Sequence, residues 1–168
     1  MMKRIYIIRH AKSRYALSGE SDFIRPLNIT GFEEVQKMAS RLHHINDTID
    51  TILCSSALRT RETASGFCVS WKFDQNKIIY LDELYHASSE TIFNTISQLD
   101  DKLRTAVIIA HNPGITDFMN QMNESFYVDD VPTCGVAGIE AACDEWKDFR
   151  ESEKKLIFFG YPSQKGNL

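Results

Sequence analysis

The chain predicts an α/β fold built on a mainly parallel sheet, and three observations predict it. Short apolar runs suited to buried strands recur at residues 5–8, 51–54, 77–81 and 105–110. Between them lie longer segments whose apolar residues repeat at helical spacing. Alternation of the two kinds of segment implies crossover connections and therefore parallel neighbours. Two consecutive strand-like runs, 134–142 and 155–161, close the chain and bring in one antiparallel strand.

Each element has its own local reason. Ile5-Tyr6-Ile7-Ile8 is continuously apolar and stops at Arg9-His10. The polar stretch 12–28 is long for a connection, which marks it as a functional loop. Thr30 with Glu33 reads as a capping box. The helix it opens carries Val35, Met38, Ala39, Leu42 and Ile45 on one face. His43-His44 fall near its end, and adjacent helical side chains diverge by about 100°, so they make no ligand pair. Ser55-Ser56 reads as the cap of a helix over 57–67. The third strand leads to Asp82-Glu83-Leu84-Tyr85. Ser88-Ser89-Glu90 starts a helix with Ile92, Phe93, Ile96 and Leu99 inward. The fourth strand ends at His111-Asn112-Pro113-Gly114, followed by a helix over 115–122. Residues 144–152 read as a polar connection carrying Trp146. No linker or repeat divides the chain, so one domain over 1–162 and a loose tail over 163–168 are expected.

Composition narrows the function. The 168 residues are 43% apolar and 25% charged, enough for a packed core. A net charge of −4 disfavours general binding to nucleic acid or anionic membranes, so an anion site must be a local basic pocket. No apolar run is long enough to span a bilayer. Met-Met-Lys-Arg runs into the first strand with no cleavage site, and Cys54, Cys68, Cys134 and Cys143 form no Cys-x-x-Cys pair. A cytoplasmic protein with reduced, buried cysteines is expected.

The four early strands each end in a polar or charged group: Arg9-His10, Ser55-Ser56 with Arg59 one turn on, Glu83, and His111. In a parallel sheet these gather at one edge, where ligands of open α/β sheets bind. Arg9 argues against a metal, since a guanidinium repels cations and matches anions. Arg9 and Arg59 suit a phosphoryl group bidentately, and His111 adds a hydrogen bond. His10 is positioned to attack phosphorus, kept neutral by the two nearby arginines. Glu83 is placed to protonate the leaving group and then activate water. Lys12 adds an amine in the loop after His10, Arg61 reads as part of a solvated helix face, and His86 is an imidazole without an assigned role.

These residues fall in motifs that resemble a known family. Arg9-His10-Ala11-Lys12-Ser13, Arg25-Pro26-Leu27-Asn28 with Gly31, Ser56-Ala57-Leu58-Arg59-Thr60-Arg61-Glu62-Thr63-Ala64, Glu83-Leu84-Tyr85 and His111-Asn112-Pro113-Gly114 together resemble the histidine phosphatase, or phosphoglycerate-mutase-like, superfamily. The nearest likeness is to its short phosphohistidine-phosphatase branch. The resemblance implies a three-layer α/β/α sandwich, His10 as the phosphorylated nucleophile, Arg9, Arg59 and His111 as the phosphate pocket, and no metal or other cofactor. Departures are informative. Ala11 replaces the family's glycine. Ala16 replaces an asparagine common in mutases and sugar phosphatases, with Ser13 as its stand-in. The chain has no room for the helical insertion that covers the pocket in larger members, so an open site is expected. Glu83 matches the family's acid position only approximately, and Asp22 competes with it as proton donor. The expected substrate is a phosphorylated protein, above all phosphohistidine, or a small phosphomonoester; the competing class is a phosphate-binding module of the same fold without turnover.

Overall fold

A strand covered on both faces must be apolar on both, and Ile5, Tyr6, Ile7 and Ile8 are all at most 1% exposed. They belong to β1 (Lys3–Arg9) in a computed structural model that describes residues 2–44, 48–122 and 125–166. β1 lies between β4 (Thr105–Ala110), to which it is parallel, and β5 (Val136–Ala141), to which it is antiparallel. β2 (Thr51–Ser55) and β3 (Ile79–Leu81) extend the parallel side, and β6 (Lys154–Gly160) pairs antiparallel with β5. The order is β3-β2-β4-β1-β5-β6. β5 alone among these six runs against the rest.

Side-chain alternation along the strands feeds two cores. On one face Tyr6, Ile8, Ile52 and Val107 meet Val35 and Met38 of α1 (Ile29–Arg41) and Phe67 of α2 (Leu58–Trp71). On the other, Ile5, Ile7, Leu53 and Ile108 meet Ile92 and Ile96 of α3 (Ser89–Ser97) and Ile115 and Phe118 of α4 (Gly114–Asn120). This is the expected three-layer sandwich. Cys54, Cys68, Cys134 and Cys143 are all buried free thiols. Among the described residues no helix is long and apolar enough to cross a membrane.

Local details differ from expectation for identifiable reasons. The cap of α1 is Asn28, not Thr30: the Asn28 side chain accepts from the Gly31 N–H at 2.8 Å, and its own N–H donates to the Lys12 carbonyl at 3.0 Å. Thr30 is exposed inside the first turn. Neither Ser55 nor Ser56 caps α2; the cap position is Ala57, without a side-chain bond, because the Ser55 hydroxyl is committed to His111 at 2.8 Å. α2 runs past residue 67 to Trp71, whose ring stacks on Phe67. Trp146 is fully buried, donating to the Leu103 carbonyl at 3.0 Å with the Lys3 ammonium over its ring, so the connection after β5 is not merely polar. Arg41 donates to the carbonyls of Tyr161 and Gly166, tying the segment after β6 to α1. Ile45, Asn167 and Leu168 lie outside the described residues.

One glycine positions the site loop. A Cβ on Gly31 would stand 2.0 Å from the Lys12 carbonyl oxygen, a backbone atom that no side-chain rotation can move away. Gly31→Ala is therefore expected to cost about 1–3 kcal/mol, the usual range for overpacking. Urea unfolding read by circular dichroism checks this; an unchanged midpoint would show that the loop yields freely.

Candidate active site

Register carries the chemistry to one edge. β1 pairs Arg9 with Ala110 of β4, so His10 and His111 follow as neighbours, their ring centres 5.1 Å apart. β2 pairs Cys54 with Ile109, which sets Ser55 beside the same corner. Arg59, on the first turn of α2, completes the group from below and is only 2% exposed.

His10 is 8% exposed. Its Nδ1 bonds the Ala11 carbonyl at 2.8 Å, so Nδ1 carries the proton and Nε2 keeps its lone pair. Nε2 faces the Nε–H of Arg59 at 3.4 Å. Burial pushes the His10 pKa down to about 4; the Ala11 carbonyl opposes this, and the charges of Arg59, Arg9 and Arg25 reinforce it. The imidazole is neutral and nucleophilic at pH 7, as expected from the arginines, although burial is the larger cause.

His111 is 2% exposed and pushed down to about 2 by burial, with His10, Arg59 and His86 adding to the effect and Asp22 opposing it. It is a neutral ring. Its Nε2 meets the Ser55 hydroxyl, which itself accepts from the Ala57 N–H at 3.5 Å. In the tautomer whose Nε2 accepts from the Ser55 hydroxyl, Nδ1–H is left to donate; Nδ1 is buried and has no partner among the described residues.

The end of the Arg59 fork is held by Asp22: Nη1 donates to its carbonyl at 2.7 Å and Nη2 to Oδ2 at 2.9 Å. The side edge, Nε–H with the second Nη2 hydrogen, remains toward His10. Asp22 also accepts from the Tyr85 hydroxyl at 2.8 Å and pairs with Arg25 at 3.1 Å. Burial raises the Asp22 pKa, but the hydrogen bonds from Tyr85 and Arg59 and the charges of Arg59 and Arg25 outweigh it, and the carboxyl is held below its ordinary value. Asp22 thus sits at the site, but as a carboxylate without a proton to give.

The remaining expected residues are less closely joined. Arg9 donates to Asp130 at 2.9 Å and to the Val131 carbonyl at 2.5 Å, while its Nε is buried without a partner among the described residues. Lys12 is exposed, and its backbone N–H is taken by Glu34. Ser13 pairs with Leu27 through the backbone. Glu83 is exposed, in a short 3₁₀ helix over Asp82–Leu84, with no hydrogen bond or ion pair to any described residue. Arg61 is exposed and lies over the Tyr80 ring, away from the site; His43 is also exposed. Sequence reasoning gave no role to Ser55 beyond capping, nor to Arg25, Tyr85 or Glu62, whose carboxylate holds the Leu27 N–H at 2.7 Å. Their signal was membership of motifs for Arg25 (Arg25-Pro26-Leu27-Asn28), Glu62 (the motif around Arg59) and Tyr85 (Glu83-Leu84-Tyr85), and for Ser55 its place at the end of the second strand.

Burial of neutral His10 makes a pH prediction. The folded value, about 4, lies below the ordinary 6.5, so between these values the unfolded chain holds the extra proton. Stability from this group is complete above about pH 6.5 and is lost as pH falls toward 4. Going from pH 7 to 4.5, the wild type is expected to lose on the order of 2–3 kcal/mol more than His10→Asn in urea titrations. Equal losses would mean that His10 is not buried as a neutral ring.

A sequence profile of the histidine phosphatase superfamily (branch 1) matches residues 5–112. An uncharacterised protein of Mycobacterium leprae is 28% identical over 167 residues, covering 92% of this chain and 99% of its own. A solved candidate phosphohistidine phosphatase SixA from Agrobacterium tumefaciens is 29% identical with a TM-score of 0.82, covering 95% of this chain and 98% of its own. A candidate of the same name from Nakamurella multipartitia shares the fold at a TM-score of 0.82 and 20% identity, with 98% of both chains covered. With five motifs in order, a matching profile over most of the chain and the same fold, this chain belongs to the histidine phosphatase superfamily and is a phosphatase of its short, SixA-like branch.

Proposed function

We propose that the enzyme transfers a phosphoryl group from its substrate to Nε2 of His10 and then to water, and that its substrate is phosphohistidine in proteins, with small phosphomonoesters accepted by the same machinery. The observation that carries this reading is the buried His10 ring, its proton committed to the Ala11 carbonyl and its lone pair turned toward the equally buried Arg59. Arg59, Arg25, the free Nε–H of Arg9 and the Nδ1–H of His111 are donors for the phosphoryl oxygens. Lys12 and Ser13 are second-rank candidates, carried by their loop alone. Transfer from one imidazole to another is close to energy-neutral, whereas an oxygen ester leaves as an alkoxide and demands a firm proton donor. Asp22 is ionised, so it supports phosphoryl transfer as the anchor of Arg59 instead of as the acid. The buried free cysteines support a reducing, cytoplasmic setting.

The test is a comparison of kcat/KM for a histidine-phosphorylated carrier protein and for 4-nitrophenyl phosphate, with rapid quench at alkaline pH to capture the phosphoenzyme. An acid-labile phosphoenzyme and a higher kcat/KM for the phosphohistidine protein are expected. Binding of phosphoprotein with no turnover of either substrate would favour the phosphate-binding module instead.

A further inference from the structure

The leaving group needs an acid: Asp22 has its carboxyl held below the ordinary value by Tyr85 and Arg59, and Glu83 is exposed with no hydrogen bond or ion pair to a described residue. A third group stands at the site. His86 adopts a left-handed backbone (φ 54), a conformation uncommon for residues with a side chain and costly unless its surroundings enforce it. Those surroundings are visible. A Cβ on Gly114 would stand 1.9 Å from the Ala87 carbonyl oxygen, so the glycine lets the corner after His111 press against the backbone next to His86. The result places the His86 ring 5.6 Å from that of His111, the same ring that flanks His10 at 5.1 Å, and 4.1 Å from that of Tyr85.

The environment suits a proton donor. The His86 side chain is 58% exposed, open to an incoming substrate. Its Nε2 lies 3.6 Å from Oδ2 of Asp22, close enough for attraction between charges and too long for a hydrogen bond. That oxygen already accepts from Arg59 and Tyr85. Asp22 and His86 thus face each other as carboxylate and imidazole, and the Nε2 position of His86 makes no hydrogen bond to a described residue.

Resting on the phosphoenzyme reading, we infer that His86, paired with Asp22, is the catalytic acid and base of both half-reactions. In the first, the lone pair of His10 Nε2 forms a bond to phosphorus as the bond from phosphorus to the leaving oxygen or nitrogen breaks. The departing pair takes the proton of the His86 imidazolium. In the second, neutral His86 accepts a proton from water as its oxygen bonds to phosphorus, and the phosphorus–Nε2 pair returns to His10. Inorganic phosphate departs and His86 is again protonated.

The experiment compares His86→Asn with wild type on phenyl phosphate and 4-nitrophenyl phosphate. Asparagine tolerates the left-handed backbone and cannot carry the proton; His86→Gln is the second variant, and circular dichroism verifies both folds. Loss of a general acid costs on the order of 10²-fold or more, and a nitrophenolate needs little protonation. The expected result is a kcat/KM loss at least about tenfold larger for phenyl than for 4-nitrophenyl phosphate, with the His10 phosphoenzyme still formed. Equal losses on both esters would overturn the proposal and make His86 structural. A leaving-group-dependent loss in Glu83→Gln but not in His86→Asn would overturn it in favour of Glu83. A wild type that forms no phosphoenzyme would instead overturn the phosphatase mechanism on which the proposal stands.

Discussion

Replacing His10 by alanine is expected to lower kcat by at least about 10⁴-fold and to abolish the phosphoenzyme, because a nucleophile that forms a covalent intermediate has no substitute in the site. Its neighbours are poor replacements. His111 is equally neutral, but its Nε2 is taken by Ser55. Among the described residues no arginine hydrogen-bonds the His86 ring as Arg59 does that of His10. The fold should survive, since His10 follows β1 and contributes no ladder residue to it. Rapid-quench labelling and circular dichroism together check the outcome. A variant that folds and still labels on histidine would move the nucleophile elsewhere. Free imidazole added to His10→Ala should restore part of the turnover by entering the vacated space.

Arg59→Ala should cost on the order of 10³-fold in kcat/KM, the range associated with arginines that neutralise a transferring phosphoryl group. Two effects combine. The side edge of the guanidinium, aimed at His10 Nε2, is lost. Asp22, no longer held by two Arg59 bonds, keeps Arg25, Tyr85 and, at 3.6 Å, His86 as partners among the described residues, beside the place an anion must enter. Arg59→Lys should recover little, because an ammonium cannot hold Asp22 end-on and a phosphoryl oxygen side-on together. The double variant Arg59→Ala with Asp22→Asn separates the effects. It should regain stability, since the side chain that lost its Arg59 partner is no longer charged, and regain at most a small part of the turnover. Nearly full recovery of turnover would mean that Arg59 serves only to silence Asp22.

Asp22 shows where sequence reading reached its limit. Its place before Arg25 made it a candidate donor, and the structure does bring it to the site. Only its partners reveal that it is ionised, because a carboxyl group's pKa depends on the charges and donors that the fold sets around it. The capping of α1 and α2 failed for a related reason. Thr30 and Ser55 have the side chains that cap helices, but Asn28 is fastened to the Lys12 carbonyl and the Ser55 hydroxyl to His111, both by contacts between segments far apart in the chain.

By itself the chain determined which residues form strands and which face of each helix is apolar, since these depend on local periodicity. It also determined that Arg9-His10 and His111 end strands whose carboxyl ends gather at one edge, since parallel pairing aligns carboxyl ends; that these two strands are neighbours was decided by the fold. The tertiary structure alone decided the tautomer of His10, the direction of the Arg59 fork and the meeting of His86 with Asp22. Those depend on distances of a few ångströms between segments joined only by folding, and hydrogen bonds and charges are sensitive to distances of that size.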